Sequence, residues 1–598
     1  MTTSTSSRSI EVNGFVYQLE GDLGAFQASL HAEEIEPQLY LVHLELTADG
    51  ESTPAPLKLT WSRPIIDTQY EWTPACGRNR WLELPWEAPL KSKATELAPV
   101  ICQYNLSQTN QLTFACSDVL NHIEMGARVH EQKATFDCYV HFFVQPVAPL
   151  REYRATLRVD LRPLPYYEAL NQVQEWWASL PGITPSPVPD IGRMPMYSTW
   201  YSFHQNLTDA AVEHQCKLAK QYGCEAVIMD DGWQTEDNSG GYAYCGDWEV
   251  TPSKIPDMEA HVARVHALGM KCLLWFSVPF IGEHSRAYER FQGKYLFKLD
   301  HLGAHVLDPR FPEVREYLIS LYEKAVGAWD FDGLKLDFVD SFAPTEENYK
   351  QRNKAHDIES VPAAVDRLLR DTMTRLRRLK PDILIEFRQN YVGPLMRNYG
   401  NLFRAADCPN DAATNRTRTL DIRLLAGNTA VHSDMLMWSP GEPMESAALQ
   451  FLNILFSVPQ ISVKLDEIPK EHQQMLRFWI TFWREHRGIL LDGKLEPHHP
   501  EQLYPFILAK QDTQWLGAFY ADVVAPLRGK LPDELWFVNA SAQPRVVMDL
   551  DTDSGAYQIE SFNVLGESLS RTVSTFLPGI NTLTIPRSGL VHLKRTAP

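Results

Sequence analysis

The chain has 598 residues, more than one hydrophobic core can organise, so two to four domains are expected. Hydrophobic residues make up 44% and charged residues 22%, the balance of an ordinary water-soluble globular protein. With 56 basic against 75 acidic residues, the formal charge of −19 argues against the basic stripes that nucleic acid requires.

The opening MTTSTSSRSIEVNG carries no apolar stretch of signal-peptide length. No run of roughly eighteen apolar residues follows anywhere, so no membrane partner is expected. The nine cysteines show neither a CxxC pair nor zinc-type spacing, and their odd number fits reduced thiols. These features predict a cytoplasmic protein.

Residues 1–180 are predicted to form an N-terminal β-sandwich. FVYQL, QLYLVHLEL, LKLTWSR, HIEMGARV, ATFDCYVHFFVQP and EYRATLRVDLR are β-rich runs separated by turn residues. YYEALNQVQEWWASL then has helical spacing, and PGITPSPVPDIGRMP holds five prolines, which predicts an irregular interdomain connection. Residues 181–490 change texture to alternating strand and helix. Strand candidates lie in PMYSTWY, CEAVIMD, MKCLLWFS, DGLKLDFVD, DILIEF, NLFRAAD, NTAVHSD and FSVPQIS, with helical runs such as TDAAVEHQCKLAKQYG between them. Eight such units predict a (β/α)8 TIM barrel, making the chain multidomain α/β. Residues 491–598 return to strands and are predicted to form a C-terminal all-β sandwich domain.

A barrel of this kind keeps its chemistry at the C-terminal ends of its strands. Polar residues gather there: VIMDDGWQ after strand two, LKLDFVD at strand four, EFRQNY after strand five, FRAADCPND after strand six and VHSDM after strand seven. Each cluster also has a plain structural reading. Asp230 and Asp231 precede a glycine, as turn residues do, and Lys335 with Asp337 could form a satisfied internal ion pair. Asp407 could cap a helix, and Trp233 and Trp248 could be core aromatics. Their joint placement at successive strand ends favours a site. No phosphate loop, GxGxxG, HExxH or GxSxG is present. An aspartate-rich rim with Trp, Arg and Lys suits glycoside hydrolysis, where two carboxyl groups flank the scissile bond. Lys335, two residues before Asp337 on the same strand face, favours an ionised Asp337. The partner must hold a proton in a less charge-compensated place, and Asp407 and Asp411 are the candidates.

VIMDDGWQ, GDWEVTPSKIPDMEAHVARVHALGMKCLLWFSVPF and DGLKLDF, in that order, resemble glycoside hydrolase family 36, the α-galactosidase or melibiase group, across about residues 190–440. The resemblance implies a retaining exo-α-galactosidase that takes oligosaccharide or α-galactoside substrates without metal or cofactor. An α-galactosyltransferase, an α-N-acetylgalactosaminidase or an inactive sugar-binding barrel are the alternatives, and a homo-oligomer is compatible with all of them. Carried over by position, Asp337 would be the nucleophile and Asp407 the acid/base, with Arg404 touching the sugar's 2-hydroxyl. Asp230 and Asp231 would hold the 4- and 6-hydroxyls, Trp233 and Trp248 would wall the pocket, and Lys335 would bridge a hydroxyl and Asp337. Two departures stand out. Relatives present small residues after strand five, where this chain has Arg388 and Gln389 near the sugar's 2-position. After strand six, Asp411 offers a second carboxyl.

Overall fold

In the strand Leu57–Pro64 every second side chain is buried, and Thr135–Phe142 repeats the pattern one residue out of phase. That period of two is what a sheet with one covered face demands. The computed structural model describes residues 8–75, 80–86, 89–345, 348 and 353–596. Cys76 and residues 1–7, which begin the stretch searched above for a leader, lie outside these. Two antiparallel six-stranded sheets form the N-terminal sandwich. One has Leu57–Pro64 and Thr135–Phe142 at its centre; the other pairs Leu39–Ser52 with Leu150–Asp160. Leu30, Val42, Leu59, Trp61, Phe114 and Phe136 fill the space between them. The strands Gln27–Glu36, Val100–Tyr104 and Asn110–Cys116 add to the six runs expected from sequence.

All eight strand candidates of the middle region contain barrel strands. They are β1 (Met196–Ser198), β2 (Ala226–Met229), β3 (Lys271–Ser277), β4 (Gly333–Asp337), β5 (Leu384–Arg388), β6 (Leu402–Arg404), β7 (Ala430–His432) and β8 (Gln460–Ile461). Neighbours in sequence pair in parallel, β8 pairs back to β1, and a bridge from His432 to Val458 nearly closes the ring. Helices α1 (Asp209–Tyr222), α2 (Met258–Ala267), α3 (Pro312–Gly327), α4 (Val361–Leu379), α5 (Ala412–Ala426), α6 (Met444–Leu452) and α7 (Lys470–Glu485) surround it. Thr208, Asp257 and Ser360 accept backbone N–H bonds at the starts of α1, α2 and α4, satisfying donors that a helix leaves free. Two departures from a plain barrel shape the mouth. The β5–β6 connection holds only a single 3-10 turn, Leu395–Asn398, and the β3–β4 connection inserts a three-stranded antiparallel sheet.

The proline-rich stretch is more than a connection. Its 3-10 turn Asp190–Arg193 lies under the barrel, with Val188 and Ile191 packed on Met196, Ile228, Leu273, Leu384 and Leu402. A Cβ on Gly192 would stand 2.9 Å from Leu402 Cδ2, and the Gly192 carbonyl accepts a 2.8 Å bond from His432 Nε2. The segment therefore plugs the barrel's floor, leaving the opposite end as the mouth. Beyond α7, a seven-stranded and a three-stranded sheet enclose the C-terminal core around Phe506, Phe519, Phe537 and Met548. No helix among the described residues is long and apolar enough to cross a membrane.

Candidate functional site

β4 ends in Lys335 and Asp337, two residues apart and so on one face of the strand. Asp337 Oδ2 accepts a 3.1 Å bond from Trp275 Nε1 of β3. Its Oδ1 accepts a 2.8 Å bond from Arg388 Nε of β5 and another from the Tyr391 hydroxyl. The next residue, Phe338, takes a left-handed φ of 64°, and its ring lies 5.1 Å from the Arg388 guanidinium. Burial alone would raise the Asp337 pKa. Arg388 first, then Lys335 and the Tyr391 and Trp275 donors, outweigh it and hold the carboxyl far below the usual carboxylate range. Asp337 is an ionised group inside a protein, equipped to stay so.

Lys335 acts on Asp337 through space but pairs directly elsewhere. Its Nζ donates to Asp230 Oδ2 at 2.6 Å, and both side chains are buried. The Asp230–Asp231 turn depends on Gly232, whose φ is 115° and whose absent Cβ would fall 2.5 Å from the Gln205 backbone. Lys254 Nζ ties the carbonyls of Gln205 and Gly232 together at 2.6 and 3.0 Å. Gln205 and Gln234 each donate to Asp231, at 2.8 and 2.6 Å. Burial nevertheless pushes the Asp231 carboxyl up to about 6, against those two amides and with the charge of Asp230 adding to the rise.

On the other side of the mouth, β6 ends in Arg404, a guanidinium with no exposure to solvent. Its NH1 donates to Asp434 Oδ1 at 2.5 Å and its NH2 to Asp407 Oδ1 at 2.8 Å, while Nε lies 3.5 Å from Glu386 Oε1. Three carboxylates therefore surround one cation, which is not the free hand on a sugar hydroxyl that sequence suggested. The Asp407 side chain is 48% exposed. Desolvation raises its pKa, Arg404 and then Lys335 and Arg388 lower it, and the charge of Asp337 pushes it up again; the balance lies below the ordinary value. Asp407 is thus more charge-compensated than a resting acid was expected to be. Asp337 and Asp407 share the influence of Lys335 and Arg388, and the charge of Asp337 acts on Asp407.

The chain matches the Melibiase family model over residues 190–394, from the floor plug past β5. It is 28% identical over 203 residues to alpha-galactosidase 2 of Pediococcus pentosaceus, a match covering 32% of this chain and 27% of that protein. The GH36 alpha-galactosidase AgaB of Geobacillus stearothermophilus superposes with a TM-score of 0.66 at 14% identity, over 97% of this chain and 82% of that one. AgaA of the same organism, solved with raffinose, gives a TM-score of 0.64 at 14% identity, covering 97% and 83%. The barrel is melibiase-like. The aligned segment spans about a quarter of the curated relative's length, and the family match ends before β6, so it includes Asp230, Asp231, Lys335, Asp337 and Arg388 but neither Arg404 nor Asp407.

Other expected residues of the melibiase-like site sit differently. Trp233 is wholly buried and Trp248 almost so, and their rings lie 5.8 Å apart against Phe276. They are core behind the rim, packed among other aromatic rings with almost no surface left to wall a pocket. Trp233 Nε1 donates 3.0 Å to the carbonyl of Trp275, so it braces the residue that touches Asp337. Asp411, offered as a second carboxyl, is the N-cap of α5: its oxygens accept from Thr414 N at 2.9 Å and Thr414 Oγ1 at 2.6 Å. The capping role weighed for Asp407 belongs to Asp411. The two nevertheless line one surface hollow of about 620 Å³ with Arg418. Arg388, expected near a sugar's 2-position, is the ion-pair partner of Asp337. Trp275, Tyr391, Gln205, Lys254, Tyr201 and Asp434 were not singled out from sequence. Tyr391 stands in the quoted EFRQNY and Asp434 in VHSDM, so the signal was present there; Trp275 looked like one more apolar residue of its strand.

Removing one partner of a buried ion pair costs roughly 3–5 kcal/mol, because the other charge is stranded. Arg388→Met is therefore expected to lower the thermal midpoint at pH 7. An aspartate with a depressed folded-state pKa lends stability above the unfolded value of about 3.9 and loses it as pH falls below. The gap between variant and parent should narrow from pH 7 to pH 3.5, measured by calorimetry at both. A gap that stays constant would mean lost packing on Phe338 and Tyr391, not lost charge.

Proposed function

We propose that the protein is a retaining exo-α-galactosidase acting on short α-galactosides. What carries the reading is the state of Asp337: an aspartate buried in a melibiase-like barrel, yet held ionised by Trp275, Arg388 and Tyr391. A buried carboxylate so supported is suited to attack an anomeric carbon.

In this reading the Asp337 carboxylate forms a bond to C1 while the bond from C1 to the leaving oxygen breaks. Asp407 gives that oxygen its proton. Water then attacks C1 of the glycosyl ester, Asp407 takes a proton from it, and Asp337 is released as a carboxylate. Retention asks for carboxyls about 5–5.5 Å apart at the moment of reaction. The pair is linked electrically as such a cycle needs. The negative charge of Asp337 is one of the influences raising the Asp407 pKa, so esterifying Asp337 removes it and turns Asp407 from acid towards base. Asp230 and Asp231 are assigned to the sugar's 4- and 6-hydroxyls, with Lys335 between Asp230 and the nucleophile. Arg404 holds the acid/base, and any contact with the 2-hydroxyl comes second to that. Arg388 fills the space beside Asp337 with a cation, which suits an unsubstituted 2-hydroxyl better than an N-acetyl group.

A panel of aryl α-glycosides carrying galactose, N-acetylgalactosamine, glucose and charged sugars tests the reading, with a sugar acceptor added to one arm to reveal transfer. Galactosides should be turned over fastest, and Asp337→Asn should abolish turnover while sugar binding persists. Absence of galactoside cleavage by the parent protein, or full activity in Asp337→Asn, overturns it. Asp407→Ala should cost roughly 10²–10⁴-fold on substrates with poor leaving groups and far less on activated aryl galactosides; equal losses on both would remove Asp407 from the acid role. Because burial pushes the Asp231 carboxyl up to about 6, the KM for galactosides should rise as pH falls through that value. The loss of a charged acceptor is worth roughly tenfold or more. In Asp231→Asn the inflection should vanish; an unchanged inflection would place it on another group.

A further inference from the structure

Asp434, at the end of β7, has no solvent exposure and makes contacts that neither a core residue nor a turn needs. One carboxylate oxygen accepts the 2.5 Å bond from Arg404 NH1. The other accepts from the backbone N–H of Cys408 at 2.6 Å and from the Tyr201 hydroxyl at 3.0 Å. Its own backbone is clamped by a single side chain of α5: Asn415 Oδ1 accepts from Asp434 N at 2.9 Å, and Asn415 Nδ2 donates to Asp434 O at 3.0 Å. Cys408 is the residue after Asp407. Asp434 therefore grips the acid/base from both ends, through the cation that binds its carboxyl and through the peptide that follows it.

We propose that Asp434 is a positioning residue for proton transfer: by sharing Arg404 with Asp407 and anchoring the Cys408 amide, it sets where the Asp407 carboxyl stands and how firmly Arg404 holds it. The inference rests on the assignment of Asp407 as acid/base. A guanidinium bound to one carboxylate alone would keep that carboxylate ionised and poor at carrying a proton. Divided between Asp434 and Asp407, with Glu386 on its third edge, Arg404 spends only part of its charge on Asp407. The other charged and titratable groups acting on Asp407 are Lys335 and Asp337 from β4, Arg388 from β5, Tyr201 after β1, and Arg418 of α5, which donates to the Asp407 carbonyl at 2.8 Å. Lys335, Arg388 and Arg418 are cations and Asp337 is needed for attack, which leaves Asp434 and Glu386 to moderate the pull of Arg404. Of those two, Asp434 alone also touches the Asp407 loop.

Asp434→Asn keeps the shape and deletes the charge, and Asp434→Ser deletes it while leaving room for water. Asp434→Glu retains it. In the full chain, the alkaline limb of kcat/KM on a galactoside with a poor leaving group should move to lower pH by about one unit in both neutral variants. Their kcat on that substrate should fall about tenfold or more, while an activated aryl galactoside is affected much less. Asp434→Glu should leave the limb where the parent has it. Equal losses on both substrates with an unmoved limb would make Asp434 merely structural and overturn the proposal, as would folding of Asp434→Glu alone or of none of the three. If the parent protein cleaves no galactoside, the functional reading fails first; if it does and the limb stays put, only the role of Asp434 is lost.

Discussion

A charge can stay inside a protein only where other groups replace the water it has given up. The mouth of this barrel concentrates that requirement. Asp230, Asp231, Asp337, Glu386, Asp407 and Asp434 face Lys335, Arg388 and Arg404, six acids to three bases. The cations are not spread evenly. Arg388 and its neighbours drive Asp337 down, while burial dominates at Asp231, Glu386 and Asp434 and raises all three. The excess of carboxyl groups is thus met unevenly: proton affinity is raised above the ordinary at Asp231, Glu386 and Asp434 and lowered far below it at Asp337. Acids pushed to such different proton affinities within one site are what the proposed division between a nucleophile and ligand-binding groups requires.

The barrel does not build this alone. Lys93 of the N-terminal sandwich donates 2.9 Å to the carbonyl of Asp340, just past β4, and Leu97 N donates 2.9 Å to Asn390 O, between Arg388 and Tyr391. A Cβ on Gly393 would strike the Leu97 carbonyl at 2.7 Å, so the segment 93–97 and the β5 loop are in direct backbone contact. Both loops that shape the surroundings of Asp337 are therefore braced by the sandwich. Helix α5 does the equivalent for β6. Its Asp421 accepts from Trp72 Nε1 and Arg80 of the N-terminal region and from the Tyr504 hydroxyl beyond α7, at 3.2, 2.5 and 2.6 Å. Since Asn415 on the same helix clamps Asp434, interdomain packing reaches the surroundings of Asp407 through one helix.

What could be read in the sequence was what repeats or stays local. Each barrel strand is a short apolar run ending in polar residues, and that texture marked all eight. Gly after Asp230–Asp231 likewise signalled the turn that Gly232 makes. Partnerships across strands carry no such signal. Lys335 sits two residues from Asp337, yet its ammonium pairs with Asp230, 105 positions earlier, and Arg388, 51 positions later, takes the place beside Asp337. Trp233 and Trp248, given a place in the pocket wall by the family resemblance and in the core by the plain structural reading, are packed as core. The missing helix between β5 and β6 followed the same logic. YVGPLMRNYG holds proline and two glycines within ten residues, too broken for a helix, and the chain covers the gap with one 3-10 turn.

Asp407 and Asp411 show how geometry separates two residues that sequence leaves equivalent. Both are exposed aspartates in FRAADCPND, and both line the same hollow. The Asp411 carboxyl is spent on the first turn of α5, where its bonds to Thr414 are local and would form in any helix begun at that point. Asp407 also has a partner three residues away, but that partner is the charged Arg404, which leads on to Glu386 and Asp434, and the charge of Asp337 raises the proton affinity of Asp407. A proton donor that must become an acceptor within one cycle needs such a response, because its two tasks differ only in whether the carboxylate opposite is charged. The distinction lies in which aspartate responds to the charge of Asp337, and that is a property of the folded barrel mouth.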